Sequence, residues 1–150
     1  MLDSKFVVGT VLKLFVSQKE IPYRVEKKIV SIDQNGVIGD KFYAKEPQRS
    51  VLIASTKSYK LAEDNGIDTK EGMLGENILI DYNPYDLPVG TKIEIGEVVL
   101  EISQHCTLCK SLTKVDNSLP KLLKNDRGIF AKVIKGGNIS QKDKIKIKGV

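Results

Sequence analysis

The chain has 150 residues, 41% of them hydrophobic, and a net charge of +5 from 24 Lys and Arg against 19 Asp and Glu. That is about one domain's worth of sequence with enough apolar content for a core, so a single domain over residues 1–150 is expected. No stretch approaches the roughly 20 consecutive apolar residues of a membrane span, an early acid and a lysine within the first apolar run argue against a secretory leader, and two cysteines are too few for a disulfide framework. A cytoplasmic protein with no membrane partner is expected.

In chain order, residues 6–17 ("FVVGTVLKLFVS") and 23–33 ("YRVEKKIVSID") are rich in β-branched residues and end at turn formers, which predicts strands. Asn35-Gly36 predicts a tight turn, and Gly39-Asp40 a second bend that presents a carboxylate. A short apolar strand over 50–55 leads to a helix capped by Thr56 and ended by Gly66. Strands follow over 76–81, 91–96 and 97–103, the last two joined at Gly96 as a hairpin. Residues 119–126 predict a helical turn or two, and 128–137 and 142–149 alternate as strands. There is no internal repeat and no linker. Many short strands with glycine turns and one or two helices predict a barrel-like, mostly antiparallel β-domain with small helices.

Charge is uneven along this pattern. Residues 110–150 hold ten lysines and Arg127 against Asp116, Asp126 and Asp143, so this part carries +8 and the remainder −3. Such a bias suits an anionic small-molecule pocket, a polyanion-binding face or plain solvated lysines. Nucleic acid is disfavoured as a partner, because the run contains one aromatic residue, Phe130, where stacking platforms use several.

Both cysteines and the only histidine fall within "SQHCTLCKSL", residues 103–112. Three chemistries compete for this cluster: a metal clip, a dithiol pair and one reactive thiolate with helpers. Cys106, Cys109 and His105 supply at most three zinc ligands, so a closed site needs a carboxylate as the fourth. A thioredoxin-like dithiol needs a strand and helix in a βαβ setting, which the strand-rich surroundings do not offer. A single thiolate is both a nucleophile for sulfane sulfur and a soft metal ligand. Because an ordinary thiol has a pKa near 8.5, it needs cations such as Lys110 beside it. Cys106 would then be a resolving thiol for Cys109. His105 reads more readily as a hydrogen-bonding residue than as a ligand.

Six segments, "GVIGDKF" (36–42), "QRSVLI" (48–53), "GMLGENILI" (72–80), "LPVGTKIEIGEVVLEIS" (87–103), "CTLCK" (106–110) and "RGIFAKVIKGGNISQKDKI" (127–145), together resemble the MOSC domain family, named for the C-terminal domain of molybdenum-cofactor sulfurases. The resemblance covers roughly residues 36–146. It implies a mainly β, mixed β-barrel-like fold with small helices (α+β), and a pocket whose cysteine carries sulfur or binds the molybdenum cofactor (molybdopterin). That cysteine corresponds to Cys109, followed by the basic Lys110. Cys106 fits a subset of short members with two cysteines. Where the family often has histidine after "GDK", this chain has Phe42, which puts an acid–base role there in doubt. The sulfurase's pyridoxal-phosphate domain has no counterpart in these 150 residues, so sulfur would have to come from a separate donor.

The remaining site expectations are Arg49, Asn77 and Arg127. Guanidinium forks suit a phosphate such as the molybdopterin tail, and an asparagine amide offers both donor and acceptor to a pterin edge. Arg127 could instead pair with Asp126 or Asp40, and Asn77 could hold a turn. The resemblance therefore implies a small protein that binds the cofactor, with molybdenum on Cys109, or that carries sulfane sulfur. As an enzyme it would be a reductase of N-hydroxylated compounds served by a separate electron donor, or a sulfur transferase. The alternative is a non-enzymatic dithiol or metal-binding module in which Cys106 and Cys109 count equally.

Overall fold

The computed structural model describes residues 5–18, 20, 21, 24–105 and 128–148. Seven strands form a closed, mixed barrel: β1 (Lys5–Ser17), β5 (Val51–Ser55), β6 (Ile78–Ile80), β7 (Lys92–Ile95), β8 (Val98–His105), β9 (Ile129–Lys135) and β11 (Lys144–Lys148). Their order is β11-β7-β8-β9-β5-β6-β1, and β1 pairs back with β11 to close the ring. A further strand, β2 (Arg24–Lys27), adds to the far half of β1. A separate small sheet orders β10 (Gly137–Ser140), β3 (Ile29–Asp33) and β4 (Gly36–Val37).

Alternation explains which face turns inward. Ile93 and Ile95, Val98, Leu100 and Ile102, and Ile129, Ala131 and Val133 occupy every second position of β7, β8 and β9, and all are buried in one core. Successive strand side chains point to opposite faces, so an alternating apolar row fills the interior of a small barrel. The small sheet adds Val30, Ile32, Val37 and Ile139 to the same core.

Within the barrel β5 and β6 are parallel, which demands a crossover, and α1 (Thr56–Asp64) provides it. Ser55, not Thr56, is the N-cap, its side chain accepting from the Lys57 N–H, and the chain leaves through Asn65 to Gly66 at φ +76°. Tyr59 and Ala62 of α1 cover Phe15, Leu74 and Leu79, a second apolar cluster outside the barrel. The hairpin expected at Gly96 forms, with Ile95 opposite Val98. Gly96 sits at φ +56°, and a Cβ there would run into the Asp143 carboxylate, so the position needs glycine on two counts.

Two elements differ from expectation. The strand expected over 23–33 breaks at Lys28 because its halves serve different sheets: β2 pairs with β1, whereas β3 pairs with β10 and β4. The strand expected over 128–137 likewise ends at Lys135, and Gly137 starts β10. The helical turn expected over 119–126 lies outside the described residues.

Candidate functional site

A cavity of about 550 Å³ opens where seven segments of the chain converge. Arg24 enters from β2, Asp40 and Phe42 from the bend after β4, and Lys45, Glu46, Arg49 and Ser50 from the connection to β5. Leu52 comes from β5, Leu74, Gly75 and Asn77 from the approach to β6, Gln104 from the end of β8 and Phe130 from the start of β9. Its size is within the range usual for small-molecule sites.

Local chemistry places the cationic side. Ala44 takes a left-handed conformation, φ +60°, costly for a residue with a Cβ, with its N–H donating to Asn35 O at 2.9 Å. The chain turned there continues into a single 3-10 turn, Pro47–Arg49, capped by the Glu46 carboxylate accepting from the Gln48 N–H. Ser103 on β8 ties the turn down, its single hydroxyl proton shared between Gln48 O and, at 3.1 Å, Phe130 O. Arg49 ends the turn. Its Nε–H donates to Gln104 Oε1 at 3.0 Å and its guanidinium lies 5.2 Å from the centre of the Phe130 ring. That leaves its terminal nitrogens without a hydrogen bond among the described residues.

Asp40 and Asn77 make the floor, and both are buried. Asp40 Oδ1 accepts from the Ser17 N–H at 2.6 Å and lies 3.7 Å from Arg24 Nη1, while Oδ2 accepts from the Phe42 N–H at 3.1 Å. The expected bend presenting a carboxylate is therefore present, with its carboxylate turned inward to pin the bend to β1 and β2. Asn77 Oδ1 accepts from the Leu52 N–H at 3.1 Å, and Nδ2 donates to Phe15 O at 3.3 Å and to Asp40 Oδ1 at 3.4 Å. Its main chain bonds the same two neighbours, Leu52 and Phe15. The amide thus joins β1, β5 and the Asp40 bend at the cavity wall.

Behind that wall lies Glu76, which is fully buried. Its Oε2 accepts from the Tyr59 hydroxyl at 2.6 Å and from the Gly72 N–H at 3.2 Å, while Oε1 has no partner among the described residues. Tyr59 in turn accepts from the N–H groups of Gly72 and Leu74 at 2.9 and 3.3 Å. Gly72 sits at φ +93°, a conformation that favours glycine, and a Cβ there would press on the Phe15 ring. Burial pushes the Glu76 carboxyl above the ordinary carboxylate range, against the pull of its hydrogen bonds and of Arg24. Burial, then the neighbouring Glu76, pushes the Tyr59 hydroxyl up as well.

Of the residues expected at the site, Arg49 and Asn77 share the cavity. His105 ends β8 but faces elsewhere: its Nε2 lies 3.0 Å from Leu87 O and its ring centre 4.9 Å from that of Tyr85. A carbonyl only accepts, so Nε2 carries the proton. Cys106, Cys109, Lys110 and Arg127 lie outside the described residues. Sequence reasoning did not single out Arg24, Lys45, Gln104 or the Tyr59–Glu76 pair. Gln104 stands directly before the His-Cys cluster and was findable there. Glu76 was hidden by an expected strand over 76–81, whereas β6 begins at Ile78.

The lining passes one test for an anionic cofactor. Of its two carboxylates, Asp40 is engaged by Arg24 and backbone N–H groups and Glu46 caps its own turn, which leaves Lys45 and Arg49 as cations not engaged in any ion pair among the described residues. Among those residues no three His, Cys, Asp or Glu side chains converge as metal ligands, and no helix is long and apolar enough to cross a membrane.

A closed mixed barrel with an inter-strand cavity is the architecture that the sequence resemblance implies, and the MOSC domain family profile matches residues 40–146. The chain belongs to the MOSC domain family. Its fold is similar to that of the YuaD protein from Bacillus subtilis, with a TM-score of 0.84 at 16% identity over 99% of this chain and 100% of that one. It is also similar to YiiM from Geobacillus stearothermophilus, with a TM-score of 0.67 at 15% identity over 96% of this chain and 75% of that one. YiiM from Escherichia coli gives 0.65 at 19% identity over 94% and 70%. No curated protein matches the sequence. At these identities the likeness is one of fold.

Proposed function

We propose that the cavity binds the anionic molybdenum cofactor or a sulfur-bearing small molecule, and that Cys109 supplies the thiolate. The observation that carries this reading is Arg49, stacked on Phe130 and held by Gln104 at the end of β8, one residue from His105 and the cysteine segment. Cys109 follows His105 by four residues, which at full extension is at most about 14 Å of chain. A guanidinium so placed serves two purposes. It receives an anion, and its field favours the thiolate form of a nearby cysteine.

The residues of the chain then have separate roles. Arg49 and Lys45 bind anionic oxygens, Asp40 and Asn77 keep the floor rigid, and Phe42 and Phe130 supply apolar walls. When bound, the cofactor would supply redox-active molybdenum, and Cys109 would be the soft ligand that holds it. As a sulfur carrier, the Cys109 thiolate attacks the outer sulfur of a donor persulfide. A new S–S bond forms on Cys109, the donor's S–S bond breaks, and the donor leaves as a thiolate. Either version needs a separate donor, of electrons for reduction of N-hydroxylated compounds or of sulfane sulfur for transfer.

The test is to purify the protein from its native host and measure molybdenum and sulfane sulfur per chain in the wild type, Cys109→Ser, Cys106→Ser and Arg49→Ala. Cys109→Ser should lose the load and Cys106→Ser should keep it. Equal loss in both cysteine variants would replace this reading with the two-cysteine module.

A further inference from the structure

We propose that Glu76 is a proton switch for the cavity: while it is protonated Arg24 stays with Asp40, and when it loses its proton to solvent Arg24 is drawn toward it and the cavity wall shifts. The switch goes beyond the assignment above and holds whatever ligand the cavity takes. Glu76 lies at a junction. Its side chain bonds to Tyr59 of α1 and to Gly72, outside the cavity, while its neighbours in sequence, Gly75 and Asn77, line the cavity together with Leu74. Its main-chain oxygen accepts from Arg24 Nη1 at 3.4 Å, and the same nitrogen lies 3.7 Å from Asp40 Oδ1. One guanidinium therefore stands between two buried acidic residues, and it lines the cavity itself.

Charge decides how that cation is shared. Asp40 has the ion pair and two backbone N–H donors, whereas the Glu76 carboxyl has neutral donors, Tyr59 and Gly72, and its Oε1 has no partner among the described residues. Burial favours the neutral form of such a group and holds it above the ordinary carboxylate range. Other charges nearby are turned outward or engaged. The lysines and acids of α1, and Asp68 and Lys70 after it, are exposed, while Glu71 and Glu26 of β2 pair with Lys13 of β1 at 2.7 and 3.8 Å. Arg24 is thus the cation on which a charge at Glu76 acts, because a buried charge requires a partner. Asp40 Oδ1 also accepts from the Asn77 amide at 3.4 Å, so a change in the Arg24 contact is felt at the cavity floor.

Nuclear magnetic resonance of the whole, isotopically labelled chain tests the switch between pH 4 and 9 without a ligand. In the wild type the Glu76 carboxyl carbon, the Arg24 Nε–H and the Asn77 side-chain amide should titrate with one shared midpoint. Glu76→Gln, which copies the protonated form, should hold the Arg24 and Asn77 signals near their acid-end positions across the range. Tyr59→Phe removes a donor to the charged form and should raise the shared midpoint by about one pH unit, the worth of one hydrogen bond to a charged group. Asp40→Asn keeps an oxygen for the Ser17 and Phe42 N–H groups but releases Arg24, and should lower the Glu76 midpoint.

Arg24 and Asn77 signals that stay fixed while Glu76 titrates, or that titrate unchanged in Glu76→Gln, overturn the switch, as does a Glu76 midpoint unmoved by Asp40→Asn. A Glu76 carboxyl that keeps one charge state throughout the range overturns it too. Should Glu76→Gln not fold, the wild type and Tyr59→Phe decide the matter: equal midpoints for Glu76 and Arg24 in both support the switch, and unequal ones overturn it.

Discussion

Glu76 is a fully buried carboxyl with one oxygen unpartnered among the described residues, and its environment makes a prediction about pH. Because burial raises its folded pKa above that of the unfolded chain, the folded protein binds more protons between the two values. Stability must therefore fall as pH rises through that window, from the ordinary glutamate value of about 4.3 up to the raised folded value, by as much as about 1.4 kcal/mol per pH unit. Glu76→Gln copies the protonated form and keeps an oxygen for Tyr59 and Gly72. Urea denaturation across pH 4–8 should give wild type and variant equal stability at the acid end and a more stable variant at the alkaline end. Parallel curves would show that Glu76 ionises without penalty. Asp40 predicts the opposite behaviour on deletion. Asp40→Ala removes the anion that faces the Arg24 guanidinium and the acceptor of the Ser17 and Phe42 N–H groups, and should cost about 3–5 kcal/mol, measured by the same method.

At the scale of elements, the hairpin of β7 and β8 offers a paired experiment. Gly96 and Gly90 both have positive φ, but a Cβ at Gly90 meets nothing within 4 Å, whereas one at Gly96 meets Asp143 and Asn138 O. Gly90→Ala should cost about 1 kcal/mol of backbone strain, and Gly96→Ala should cost more because the Asp143 turn must also move. Equal losses would show that the contact yields freely. These elements were legible in sequence for a physical reason. The apolar-rich strand pattern of "KIEIGEVVLEI" around its glycine and the Thr56–Gly66 bracket around α1, whose cap falls one residue earlier at Ser55, are local signals, and local signals decide local structure. The break at Lys28 was not legible, because "VEKKIV" carries no turn former. Only the partners of its two halves, β1 on one side and β10 and β4 on the other, separate them.

For the whole molecule, closure depends on β1 meeting β11, with Phe6 opposite Ile147 and Thr10 opposite Lys144. A pairing across some 140 residues leaves no mark in either segment, so the barrel was legible as a class and its seam was not. The same holds for the cavity. Arg49 was expected from its position in a family segment, but its stacking on Phe130 and bond to Gln104 need three distant strand ends to converge, and Lys45 carries no signal beyond its charge. Asn77 was chosen for its amide, and the amide is present at the cavity wall, bonded to β1 and β5.

The central claim is that the cation at the cavity and one particular cysteine act on the same ligand, and thiol labelling tests it most directly. Thiolate fraction controls alkylation, so iodoacetamide labelling followed by mass spectrometry between pH 5 and 9 reports the titration of each cysteine separately. Cys109 should label at lower pH than Cys106 in the wild type, and Arg49→Ala should move the Cys109 midpoint to higher pH while leaving Cys106 in place. Identical labelling profiles for the two cysteines, unaffected by Arg49→Ala, would contradict the claim.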